Sequence, residues 1–353
     1  MKPMLECLAC GGSNLKLCLD LGNQPLANSY GAKSDLYPLQ LVYCDDCWHA
    51  QLSVSVDPEL LYRDYYYVSG TSNTLQQWFS DFADRFEYAG YILDVASNDG
   101  SLLKEFKKRG WEVLGIDPAE NIDTQGIETI HEFFDEHIDV GQYDVVTAFN
   151  VLAHGPNPLS VMKGIYNALT DDGVAYVMTS QGNMFNTGQF DTIYHEHHSF
   201  FSPNSFQELA NRAGFTDISY TVEPIHGGSL LFRLTKGDYE AQLPQNRPDF
   251  EGFAEKAKAI RPYKIVGYGA AAKGVVMINA INQKLDYIVD EAPLKIGKCI
   301  PGTDIKIVDP SYMAEDADNL VVIVYAWNFY DEIVDKITKL RPDRKDIFVR
   351  YYQ

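Results

Sequence analysis

The chain has 353 residues, 46% hydrophobic and 22% charged, the composition of a folded protein with more than one core and not of a disordered or collagen-like chain. Its 29 Lys and Arg against 49 Asp and Glu leave a formal charge of −20, which opposes long-range attraction to nucleic acid or anionic lipid. No stretch approaches the roughly 20 apolar residues of a membrane span, and the opening MKPMLECLACGG lacks an apolar signal core. A cytoplasmic location is therefore expected, with cysteines acting as ligands or free thiols.

Cys7 and Cys10 form one C-x-x-C pair, followed by Gly11 and Gly12, which can take the positive φ of a tight knuckle. Cys44 and Cys47 form a second. Four thiolates are the closed tetrahedral set of structural zinc, which leaves no open position for catalysis and staples a stretch too short to build a large core. Between the pairs, Leu15, Leu17, Leu19 and Leu21 alternate as in a half-buried strand. Cys18 falls on its opposite face and, like Cys299, is read as a non-ligand. Leu75, Trp78, Phe79, Phe82 and Phe86 then recur with amphipathic helical spacing, and a first domain is set at 1–70.

From residue 71 to about 240, apolar runs alternate with helix-like segments, as in a parallel α/β sheet with right-handed crossovers. Ligands of such sheets bind at the carboxyl ends of the strands. Asp94 closes one strand, Ser97, Asn98, Asp99 and Gly100 make the turn, and Leu102, Leu103 and Phe106 start a helix. Asp117 ends the next strand, where a carboxylate can accept from both hydroxyls of a ribose. No G-x-G-x-x-G or P-loop is present in this unit, so an adenosyl ligand without pyrophosphate fits, and the positive charges of S-adenosylmethionine suit an acidic site. An ordinary strand-to-helix turn has the same residue preferences.

Residues 191–202, DTIYHEHHSFFS, place His195, His197 and His198 within four positions. If this stretch is extended, His195 and His197 share one face, with Glu196 and His198 on the other. His226 precedes Gly227 and Gly228, which let backbone approach a ligand closely. A metal centre built from His195, Glu196, His197 and His226, as in a metal-assisted hydrolase, is one alternative.

The stretch Lys236 to Pro248 reads as a linker, and 249–353 as a second α/β domain. Gly267, Gly269 and Gly274 follow a strand and open a helix whose first amides, with Lys273, could hold a phosphate. Asp290 ends the following strand where a nicotinamide cofactor's ribose would be read, so an NAD-dependent oxidoreductase is a second alternative.

Taken together, CLACGG, YCDDCW, LDVASNDGSLL, GIDPAEN, FNVLAH, DTIYHEHHSFFS, HGGSL, KIVGYGAAAKG and VDEAPLKIGKCIPGTDIKI resemble, in order and placement, the three-domain sugar C-methyltransferases. The resemblance implies an α/β protein with a small N-terminal zinc-binding domain, a central Rossmann-like S-adenosylmethionine domain and a C-terminal Rossmann-like domain. It implies a nucleotide-linked ketosugar substrate held between the last two, with Gly227, Gly228, Gly269 and Lys273 on the sugar nucleotide. Asn150 is implied at the cofactor.

Methylating carbon needs a carbon nucleophile, which a base can generate beside a carbonyl, and histidine has a pKa near working pH. The resemblance makes His226 that base, with His197 or His195 as enolate stabiliser or second acid/base group and Tyr67 and Tyr220 as further candidates. His154, just past a strand near the cofactor edge, could orient substrate or cap a helix. Three positions depart from the family pattern. Ala96 replaces a usual glycine and is expected to crowd the methionyl end. Ile225 stands where some relatives carry Glu, leaving Glu223 to tune His226. Leu231 stands where many carry Arg, removing a phosphate contact.

Overall fold

In a computed structural model the described residues are 1–30, 35–62, 68–179, 184–237, 243–259, 266–316, 320–344 and 346–350. Tyr67 and part of the expected linker lie outside them. The N-terminal sheet is antiparallel, in the order Ser199–Phe200, Ala50–Leu52, Leu36–Cys44, Leu15–Pro25. Its last strand begins as the leucine alternation predicts, but register shifts between Leu17 and Leu19 break the period, and Leu17 is 60% exposed. Its first strand is contributed by the chain just after the His-rich cluster.

The central sheet has seven strands in the order Asp217–Glu223, Ser229–Thr235, Leu169–Thr179, Tyr143–Phe149, Tyr91–Val95, Glu112–Ile116, Thr129–Ile130. Ser229–Thr235 is antiparallel to both neighbours, and the pairings from Leu169–Thr179 through Thr129–Ile130 are parallel. Helix Asn73–Ala83 buries Leu75, Trp78, Phe79 and Phe82 against it, capped by Ser72, whose side chain accepts from the Leu75 amide. Phe86 packs on the same cluster from beyond the helix end. The C-terminal sheet is wholly parallel, in the order Ile307–Val308, Ile288–Val289, Val266–Tyr268, Val321–Val324, Ile347–Val349. Strand order reverses beside the central strand of each parallel array, where an α/β sheet opens a crevice at its strand ends.

Residues 184–200 decide how these bodies meet. Met184, Phe185, Phe190, Ile193, Tyr194 and Phe200 share one buried cluster with Leu19, Leu39, Leu41 and Leu52 of the N-terminal sheet and with Phe250, Phe253, Val275, Tyr325 and Trp327 of the C-terminal body. Stacked and edge-on rings fix this junction, with Tyr43 on Phe250 at 4.2 Å and Phe185 on Phe253 at 5.1 Å. The N-terminal module thus buries its apolar face on the rest of the chain, as so short a stretch must.

Phe253 is fully buried in this shared cluster. Phe253→Ala should cost about 3–5 kcal/mol and, in scanning calorimetry, lower the transitions of the N-terminal module and the C-terminal body together. A shift confined to the C-terminal body would show that the two unfold independently.

Candidate active site and metal centre

The four cysteines converge. Cys7 and Cys47 sulfurs lie 3.5 Å apart, Cys10 and Cys44 sulfurs 3.7 Å, and all four are within 4.8 Å of one another. A tetrahedron of Zn–S bonds of about 2.3 Å has an edge of about 3.8 Å, so the donor set fits zinc. Each knuckle closes alike: the amides of Gly11 and Trp48 donate to the carbonyls of Cys7 and Cys44 at 2.8 and 2.9 Å, with φ of +80° and +60°. Glycine serves the first, as its position suggested; a tryptophan serves the second. Asn204 Nδ2 donates to the Cys47 carbonyl at 2.8 Å and Arg212 Nη1 to that of Ala9 at 2.6 Å, clamping both knuckles onto the central domain's helix Pro203–Ala213. Cys18 and Cys299 stay outside the cluster.

Apart from this staple, whose cysteines do not line it, one cavity of about 700 Å³ is bounded by all three parts of the chain. Part of its lining is Asp94, Ala96, Ser97, Asn98, Asp117 and Asn150. Asp117 accepts from the amides of Asn98 and Ala119 at 2.9 and 2.8 Å, which aims its carboxylate from the end of strand Glu112–Ile116. Thr147 Oγ1 donates to Asp94 Oδ1 at 2.6 Å. Enclosure, with the charges of Asp117 and Asp99, pushes the Asp94 carboxyl up to about 7 against that hydrogen bond. A buried carboxyl so poised suits a cationic ligand, and Ser97 Oγ and Asn150 Oδ1 are buried without hydrogen-bond partners. These residues fit the methionyl end and hydroxyls of S-adenosylmethionine.

Two members of the predicted turn do other work. Asp99 accepts from the amides of Gly70 and Ser101 and from the Ser101 hydroxyl, tying residue 70 to the turn. Gly100 caps helix Ser101–Lys108 at φ +70°, where a Cβ would strike Ile127. Ala96 adopts φ +56°, so the methyl group costs backbone strain of about 1 kcal/mol.

The same cavity is also lined by His154, Tyr194, His197, His226 and Lys273. The His-rich segment is a turn, not an extended strand, so the expected sharing of a face by His195 and His197 fails. His197 points into the cavity; its Nδ1 donates to the Thr192 carbonyl at 2.9 Å and its Nε2 accepts from the Tyr194 hydroxyl at 2.7 Å. His195 turns away to the Pro38 carbonyl, 3.3 Å from Nε2, and His198 Nε2 meets Ser55 Oγ at 2.9 Å. Glu196 accepts from Asn28 Nδ2 at 3.0 Å. Among the described residues, His195, Glu196, His197 and His226 do not gather as a metal site.

His226, half-buried at φ +51°, faces the cavity, and enclosure followed by the Lys273 charge pushes its imidazolium down to about 4. Its ring is therefore neutral at physiological pH. His154 and His197 rings stand edge to face at 4.8 Å, and burial holds both neutral. Tyr220 packs on Phe232 in the sheet, away from the cavity wall. Glu223 does not reach His226: it accepts from Trp78 Nε1 at 2.8 Å and pairs with Arg85 at 3.2 Å. Leu231 is core, packed with Trp78 and Phe82, so no phosphate contact is lost through it.

In the C-terminal body, Gly269 donates its amide to the Val289 carbonyl at 2.7 Å, and a Cβ there would strike Ala326. Its role is steric, and Ala271, Ala272 and Lys273 line the cavity instead. Gly227 likewise makes room, since a Cβ would overlap the Trp327 ring; neither it nor Gly228 lines the cavity. Asp290 accepts from the Ala292 amide at 2.9 Å and pairs with Lys295 at 3.2 Å, so its oxygens are engaged where a nicotinamide ribose would need them. Sequence reasoning missed Tyr194, Lys295 and Asn28 on the wall; the first lay within the quoted YHEHH block.

Comparison with known proteins matches residues 7–62 to a zinc binding domain, 67–220 to a methyltransferase domain and 235–350 to a C-methyltransferase C-terminal domain. These three matches, in this order along the chain, make up the three-domain arrangement of a C-methyltransferase. It is 28% identical to the C-methyltransferase NovU of Streptomyces niveus over 95% of this chain and 92% of that protein. A ubiquinone biosynthesis O-methyltransferase of Shewanella halifaxensis is 29% identical over 41% of this chain and 71% of its own. A solved Burkholderia thailandensis 1,6-didemethyltoxoflavin-N1-methyltransferase aligns over 46% of this chain and 78% of its own, at 16% identity and a TM-score of 0.39. The protein is an S-adenosylmethionine-dependent C-methyltransferase, similar to NovU along nearly its whole length. Among the described residues, no helix of this methyltransferase is long and apolar enough to cross a membrane.

Metal analysis of the methyltransferase should give about one zinc per chain, and Cys44→Ser should lower both zinc content and melting temperature; about two per chain would reveal a second centre. Because Asp94 holds its proton up to about 7, a cationic cofactor should expel roughly half a proton on binding at pH 7. Calorimetry of S-adenosylmethionine binding in buffers of different ionisation enthalpy reads this release, which Asp94→Asn should abolish.

Proposed function

We propose that this methyltransferase transfers the methyl group to the carbon beside the ketone of a nucleotide-linked deoxysugar, through an enolate generated by His226. The observation that carries the reading is the single cavity in which His226 and Lys273 share one space with the Asp94 and Asp117 wall. Its volume of about 700 Å³ is of the size that takes a cofactor and a small substrate together. The likeness to the sugar C-methyltransferases supplies the substrate class, and the NovU match along the chain supports transfer to carbon.

Bound S-adenosylmethionine supplies an electrophilic methyl group. Asp117 would hold the ribose hydroxyls, and Asp94 with Ser97, Asn98 and Asn150 the methionyl end. The amides that open helix Ala272–Ala280 would receive the sugar nucleotide's phosphates. His226, neutral because the site is enclosed, takes the proton from the carbon next to the ketone. Its left-handed backbone, followed by Gly227 at φ +81° and Gly228 at φ +104°, aims the ring out of the sheet end. His197 positions Tyr194 by accepting a hydrogen bond from its hydroxyl.

In deuterium oxide with S-adenosylhomocysteine and the keto-deoxysugar nucleotide, the wild-type protein should exchange the proton at the target carbon. His226→Ala should abolish exchange and leave calorimetric cofactor affinity within about threefold; retained exchange would remove His226 from the base role. Since His226 titrates near 4, the exchange rate should stay level from pH 7 to 5, whereas an unperturbed histidine of pKa about 6.5 would lose most of its activity over that range.

A further inference from the structure

Taking a proton from carbon leaves negative charge on the ketone oxygen, and a preorganised donor at that oxygen is commonly the largest contribution to rate. His197, expected for that task, has no hydrogen to give: its Nδ1–H is bonded to the Thr192 carbonyl, and its Nε2, on a ring kept neutral by burial, accepts from Tyr194. Lys273 differs. Its Nζ is buried without a hydrogen-bond partner, an arrangement that is costly for an ammonium group unless a ligand completes it. The ammonium lies 4.6 Å from the centre of the Trp327 ring.

That ring is itself fixed. Trp327 Nε1 donates to Asp191 Oδ2 at 2.8 Å, and the far edge of the indole lies so close to Gly227 that only glycine fits. Gly227 is the neighbour of His226, so Lys273, Trp327, Gly227 and His226 form a continuous chain of contacts whose two ends, Lys273 and His226, line the cavity. The field of the ammonium reaches both His226 and His197. Lys295, the other lysine on the wall, is committed to Asp290.

We infer that Lys273 is a catalytic residue whose ammonium donates a hydrogen bond to the substrate's ketone oxygen and holds the enolate, and that it is not a phosphate ligand. The inference rests on the ketosugar reading above. In the step it serves, the C–H electron pair becomes the C=C bond, the carbonyl π pair moves onto oxygen, and the proton passes to the His226 ring. Lys273 shares its own proton without losing it. Burial holds its pKa down to about 8 against the pull of Asp191, so the group is still charged at neutral pH and is a strong donor.

The test uses full-length protein in deuterium oxide with S-adenosylhomocysteine and keto-deoxyhexoses linked to dTDP, UDP, GDP or CDP, proton exchange being followed by NMR. At saturating substrate, Lys273→Met should slow exchange by about 100-fold or more, while calorimetric affinity for the parent nucleoside diphosphate stays within about threefold. Lys273→Arg, which keeps a charged donor, should recover about tenfold over Lys273→Met. Wild-type exchange rates in Lys273→Met, or a weaker nucleoside diphosphate affinity beyond that bound, would overturn the assignment and leave the His226 reading standing. Wild-type protein that exchanges and methylates none of the four would overturn both.

Discussion

Burial of ionisable side chains around one cavity governs the chemistry available to this protein. The same enclosure that keeps His226, His154 and His197 neutral holds a proton on Asp94 and leaves Lys273 charged but unpaired. In an open cleft, water would stabilise each charged form and these groups would relax toward their ordinary values. Here a neutral imidazole, a half-ionised carboxyl and an ammonium group coexist because all three parts of the chain contribute to the cavity that buries them.

That enclosure depends on residues 184–200. They give a strand to the N-terminal sheet, aromatic side chains to a cluster shared with the C-terminal body, and Tyr194 and His197 to the cavity wall. The metal staple contributes from a distance. By fixing both knuckles on helix Pro203–Ala213, the thiolate site orients the small sheet that pairs with this segment. A four-thiolate centre in this fold therefore acts on geometry, consistent with its closed coordination.

Glycines next to cavity-lining residues act mainly by making room. Gly227 admits the Trp327 ring and Gly269 admits Ala326, so the backbone of the two sheet ends can close around substrate-sized space. Their amides were natural candidates for ligand contacts, yet that of Gly269 is used within its own sheet. Steric permission and hydrogen bonding are separate properties of glycine, and a sequence displays only the first.

Much of the architecture was legible because it is written in local patterns. Paired C-x-x-C spacing dictates a four-thiolate site, Asp94 and Asp117 fall at strand ends by simple alternation, and helix Asn73–Ala83 follows from its aromatic period. The division of labour within the cavity was not. Whether His195 or His197 faces the site is set by a turn whose shape comes from packing between bodies; Glu223 is claimed by Trp78 and Arg85, and Leu231 by the core. Residue type and spacing determine which chemistry a segment can offer. Which side chain is dehydrated, and beside what, is fixed by contacts between distant parts of the chain, and these exist only after the three bodies have closed on one another.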